Sequence, residues 1–126
     1  MHAEMATSEQ DDVSGELRHR TVSEQTLAAR RVAQLVAPIN ERVGEWQIES
    51  VRLATTAQRL RDMGRRDGEL AKDIRTLLAK VEAELKALDE AVPLLSPLVA
   101  ANSRLADTRR SLQLVAERLR GALTEA

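Results

Sequence analysis

The sequence predicts an all-α protein, built of long amphipathic helices that form an elongated coiled coil or helical bundle completed by partner chains. Three observations carry that expectation. Leu98, Leu105, Leu112 and Leu119 recur every seven residues in the last quarter of the chain, and such a repeat keeps one helix face against a neighbour. Ala, Leu, Arg and Glu dominate a chain of 126 residues in which Trp46 is the only aromatic; this is the composition of long helices rather than of a compact aromatic core. No stretch alternates apolar and polar residues as a half-buried strand would.

Residues 1–20 (MHAEMATSEQDDVSGELRHR) are polar and aperiodic. Too little apolar surface is available there to offset the entropy of ordering, so the stretch reads as a flexible tail, and residues 21–126 as one helical region. Thr21-Val22-Ser23-Glu24 has the spacing of a capping box and predicts a helix start. The first helix then spans about 21–63 on the series Val32, Ile39, Trp46, Leu53 and Leu60, with Val36, Val43 and Ala57 widening the same face. Pro38 lies inside this pattern and predicts a kink or a restart.

Gly64-Arg65-Arg66-Asp67-Gly68 has no apolar residue and is either a hairpin loop or a joint in an extended rod. The heptad phase runs from Leu60 through Asp67 to Ile74 without a shift, which favours the rod. A second helix, about 69–92, follows from Leu70, Ile74, Leu77, Val81, Leu88 and Ala91, widened by Leu78, Leu85 and Val92, and is broken by Pro93. Ser96-Pro97 reads as an N-cap followed by proline at the first helical position. The last helix, about 96–122, places Leu98, Leu105, Leu112 and Leu119 at position d. Leu95, Asn102, Arg109, Ala116 and Leu123 then fall at position a. The flanking Val99, Ala101, Ala106, Thr108, Val115 and Ala122 are uncharged, and so wide a face predicts burial among more than two helices.

The predicted partner interface therefore comprises Val32, Ile39, Trp46, Leu53, Leu60, Ile74, Leu77, Val81, Leu88, Leu95, Leu98, Asn102, Leu105, Arg109, Leu112 and Leu119. Three seam positions are polar, Glu84, Asn102 and Arg109. In a parallel homodimer Arg109 would meet its own copy, so these residues read as a register device favouring a hetero-oligomer over a homo-oligomer.

Chemistry is harder to place. Cys and Tyr are absent, and His2 and His19 both fall in the expected tail. No carboxylate pair, phosphate loop or metal-ligand spacing stands out, so the reading is no enzyme, no cofactor and no metal. Glu82 and Lys86, four apart, read as a surface ion pair. Arg59, Arg61, Arg65 and Arg66 cluster around the glycine joint and raise a third reading, a lipid- or nucleic-acid-binding patch. Asp62 and Asp67 are interspersed, no aromatics are present for base stacking, and the charges nearly balance at 19 basic against 20 acidic residues. The expectation is therefore no nucleic-acid partner. A basic zipper is excluded because acidic, proline-broken DEAVPLLSP precedes the leucine row. No apolar run approaches eighteen residues, and the polar start is not a signal peptide. Together with the lack of Cys, this fits a cytoplasmic location.

Over about residues 88–123 the chain resembles the small coiled-coil subunits of the biogenesis-of-lysosome-related-organelles complex and its lysosome-positioning relative, the snapin-like family. Pro93-Leu94-Leu95 is similar to the Pro-aromatic-aliphatic triplet of those proteins, with Leu94 in the place of the aromatic. Glu117-Arg118-Leu119-Arg120 with Leu123 resembles the stretch near the end of snapin. The resemblance implies a helical subunit of a hetero-oligomeric scaffold, with other coiled-coil subunits as partners. It also implies peripheral association with endosomal or lysosomal membranes, in trafficking or positioning. The alternative from the residues alone is a homo-oligomeric structural coiled coil of bacterial or phage type.

Overall fold

The computed structural model describes the backbone of residues 2–125 and the side-chain environment of residues 23–124. The chain is all-α, with four α-helices and one short 3-10 turn: α1 (His2–Asp62), α2 (Gly68–Ala91), the turn Val92–Leu94, α3 (Pro97–Ala100) and α4 (Ser103–Glu125). No strand occurs among the described residues.

The helix boundaries follow from local chemistry. Gly64 ends α1 with φ of +66°, a left-handed conformation that glycine adopts without a Cβ clash. Around it the Arg65 amide donates to the Leu60 carbonyl at 2.7 Å and the Gly64 amide to the Arg61 carbonyl at 2.9 Å, the paired bonds of a Schellman motif. Three residues later Asp67 caps α2, its carboxylate accepting from the Glu69 and Leu70 amides. Pro93 stops α2, and Ser96 caps the next helix ahead of Pro97, both as the sequence predicts.

Three expectations about the elements differ. The α1 backbone does not begin at Thr21, because residues 2–20, read as a flexible tail, are written into the same helix; their side chains, His2 and His19 included, lie outside the described residues. Adding a residue to an existing helix gains one hydrogen bond without a new nucleation cost, so a polar stretch can continue a helix that packing has fixed further on. Pro38 does not interrupt α1. It and Gln34, whose carbonyl loses its donor, are both exposed, so water can take the donor's place. The last helix is also not continuous over 96–122. Asn102 turns its side chain back to accept from the Arg104 amide at 2.9 Å, starting α4 afresh and separating it from α3.

The segment 63–67 is a hairpin, and the rod is excluded. Arg42 pairs with Glu84, which places α1 and α2 side by side and antiparallel. Asp89 with Arg109 and Glu82 with Arg120 set α4 antiparallel to α2. On the third side Asn40 meets Thr108 and Ser50 meets Arg118. Both pairs span 68 residues, so α4 runs parallel to α1 in a constant register. The result is a three-helix bundle around one core. Its most enclosed side chains include Val32 and Leu53 of α1, Ile74 and Val81 of α2, and Leu112, Val115 and Leu119 of α4. By the same register α3 lies level with residues 29–32 of α1, where Val32 and Val99 are both buried. Residues 23–27 have no helix alongside and are exposed.

Candidate interaction surface

Most of the residues predicted to meet a partner chain meet one another instead. Val32, Ile39, Leu53, Ile74, Leu77, Val81, Leu88, Leu105, Leu112 and Leu119 are buried in the chain's own core, with Trp46, Leu60 and Leu95 half-buried against it. The seam thus closes within one molecule, and no partner chain is needed to cover it. Leu98 departs from the leucine row altogether: it is 48% exposed, because the α3–α4 break at Asn102 shifts it off the face that Leu105 continues.

The polar seam positions also find their partners at home. Asn102 is the α4 cap. Arg109, expected to face an acid on another chain, donates from Nε to Asp89 Oδ1 at 2.6 Å and from Nη2 to Oδ2 at 3.2 Å. That hydrogen bond holds the Asp89 carboxyl below the usual carboxylate range and raises the guanidinium further. Glu84 accepts from Arg42, and Glu82 from Arg120 across the α2–α4 interface rather than from Lys86. On α1, Arg52 donates to Glu49 one turn away and lowers its carboxyl in the same manner. A polar core position passed unnoticed in the sequence. Ser50 is wholly buried, donates to the Gln47 carbonyl at 2.9 Å and accepts from Arg118 at 3.1 Å. The signal was the heptad itself, since Val36, Val43, Ser50 and Ala57 form one row of the seam.

A second face remains outside. Ala33, Ala37, Asn40, Gly44, Gln47 and Val51 of α1 follow steps of four and three residues along the groove between α1 and α4. Opposite them, Asp107, Ser111 and Arg118 of α4 line the same groove. Ile48 is 75% exposed, Leu114 52% and Val51 49%. Small residues at Ala33, Ala37, Gly44 and Ser111 leave the groove floor open to close approach, while Ile48, Val51 and Leu114 place large apolar groups on its rim. No family model matches the chain, and neither does any curated protein or solved structure.

At the hairpin end the bundle presents a different chemistry. A cleft of about 470 Å³ is lined by Arg61, Gly64, Arg65, Arg66 and Thr124. Asp62 accepts from Gln58, and Asp67 is engaged in capping α2. Among the described residues Arg59, Arg65 and Arg66 make no ion pair, whereas Arg42, Arg52, Arg109 and Arg120 on the sides of the bundle each hold a carboxylate. No group of three or more His, Cys, Asp or Glu among the described residues could hold a metal ion. No helix among them is long and apolar enough to cross a membrane.

Proposed function

We propose that the chain is a non-enzymatic helical interaction subunit whose α1–α4 groove receives a helix of a partner protein. The observation that carries this reading is the exposed apolar rim of Ile48, Val51 and Leu114 along a groove floored by small residues. A helix laid there would bury apolar surface from both sides, the usual source of affinity in helix-in-groove recognition. Its narrower form, a subunit of a hetero-oligomeric scaffold acting in endosomal or lysosomal trafficking from the cytoplasm, draws on the snapin-type resemblance. Asn102 and Arg109 no longer contribute to it, since each has a partner within the chain.

The test is capture with chemical cross-linking from the native cell, using wild type and the double variant Ile48→Asp with Val51→Asp. Two carboxylates on the rim would have to be desolvated on docking, so the variant should lose its cross-linked partner while melting at the wild-type temperature. Unchanged capture would refute the groove as the interface. Cross-links between two copies of the chain through this groove would favour the homo-oligomeric alternative.

A further inference from the structure

We propose that the arginine tip of the hairpin binds the acidic segment 4–16 of a second copy of this chain, joining copies head to tail. The argument begins with charge that the fold leaves unspent. Residues 59–66 contain Arg59, Arg61, Arg65 and Arg66 against the single acid Asp62. Arginines on the bundle sides are each matched with a carboxylate, but Arg59, Arg65 and Arg66 are not among the described ion pairs. The cleft they border has Arg61, Arg65, Arg66, Gly64 and Thr124 in its lining and no acid.

The complementary charge is present in the same sequence. Glu4, Glu9, Asp11, Asp12 and Glu16 fall within thirteen residues that contain no Lys or Arg. No other stretch of the chain is so one-signed in acid. The segment cannot neutralise its own tip, because it lies on α1 at the opposite end from the hairpin. At about 1.5 Å per residue, roughly 65 Å of helix separates Glu16 from Leu60. Only another molecule can bring the two together.

Guanidinium groups around a cleft suit carboxylates, since each presents a planar fork of donors. A contact of unlike patches at opposite ends does not close on itself, so it generates chains of copies rather than a sealed dimer. Both patches are charged and solvent-facing at the tip, so the association is weak and strongly screened by salt. This surface is separate from the α1–α4 groove and does not depend on it.

Sedimentation velocity of the full chain tests the proposal. The wild type should sediment faster at low than at high ionic strength, in a concentration-dependent manner. Arg65→Glu with Arg66→Glu should sediment as monomer at every salt concentration, and so should Asp11→Lys with Asp12→Lys. Mixing those two variants should restore association, because each supplies the patch the other has lost. The groove variant Ile48→Asp should behave as wild type here, which separates a failure of this proposal from a failure of the groove. A wild type that is monomeric at low salt would overturn the proposal, as would a tip-reversed variant that still associates or a mixture that does not. If the wild type stays monomeric but binds phosphatidylserine vesicles through Arg65 and Arg66, the tip serves an anionic lipid surface and the proposal is equally overturned.

Discussion

Leu112 and Leu114 stand two residues apart on one helix and should respond to truncation in opposite ways. Leu112 is fully buried at the level where α4 passes α1 and α2, whereas Leu114 is 52% exposed on the groove rim. Leu112→Ala removes three carbons from the core. At about 0.8 kcal/mol per carbon the transfer loss is about 2.4 kcal/mol. The space left behind adds a cavity cost, because the fully enclosed residues around it, Val115 and Leu119 among them, cannot all collapse inward. The total should be about 3 to 4 kcal/mol. In a bundle of this size each kcal/mol moves the melting midpoint by about 4–8 °C, so a fall of about 12–25 °C is expected. Leu114→Ala should change stability by no more than about 0.5 kcal/mol. The assay is thermal unfolding followed by circular dichroism at protein concentrations differing by about a hundredfold. A seam closed within one chain gives a midpoint independent of concentration, whereas a seam shared between chains does not. Equal effects of the two truncations, or a seam-variant midpoint that rises with concentration, would show that Leu112 faces another chain.

Two further outcomes follow from the turn and from the ion pairs. Gly64→Ala adds a Cβ that meets nothing within 4 Å, so its whole cost is the left-handed backbone, roughly 1–2 kcal/mol, read as a lower denaturant midpoint with an unchanged slope. Asp89 is held below the usual carboxylate range by Arg109, so its contribution is present above the unfolded value of about 3.9 and is lost as the pH falls through the lower folded value. Asp89→Asn should therefore be slightly less stable than wild type near neutrality, and the gap, small because the pair is exposed, should vanish in strong acid; a gap that persists there would mean the ion pair is not its source.

The heptad was legible because it is a statement about faces, and faces survive whatever the chain does at its turns. For that reason the second-helix residues Ile74, Val81 and Leu88 were placed in the core from spacing alone, and the Ser96-Pro97 start from cap chemistry. The same property made direction illegible. An unbroken phase from Leu60 through Ile74 says which side of each helix is apolar and nothing about whether the chain reverses between them. The reversal is written in Gly64, whose positive φ no periodicity records. Polar seam residues were misread for a related cause. Asn102 looked like an interchain register device because its ability to cap a new helix competes with its place in the repeat. Arg109 did so because Asp89, twenty residues earlier, becomes its neighbour only after the turn. The α1–α4 groove lies on a second repeat of small residues, Ala33, Ala37 and Gly44, which carries little hydropathy and so stood out from neither the core nor the solvent face.

The parallel pairing of α1 with α4 bears on how the molecule is made. Contacts such as Asn40 with Thr108 and Ser50 with Arg118 join positions 68 residues apart, while α2 and α4 are linked by a short connection. During translation the α1–α2 hairpin can form first, but it leaves the apolar rows of Val36 and Val43 on one helix and Ile74 and Val81 on the other without their third wall. Only synthesis of the 23-residue α4 supplies that wall, and closing it carries the loop entropy of the whole intervening chain. A nascent chain stalled before α4 would expose this surface and be a natural client for chaperones.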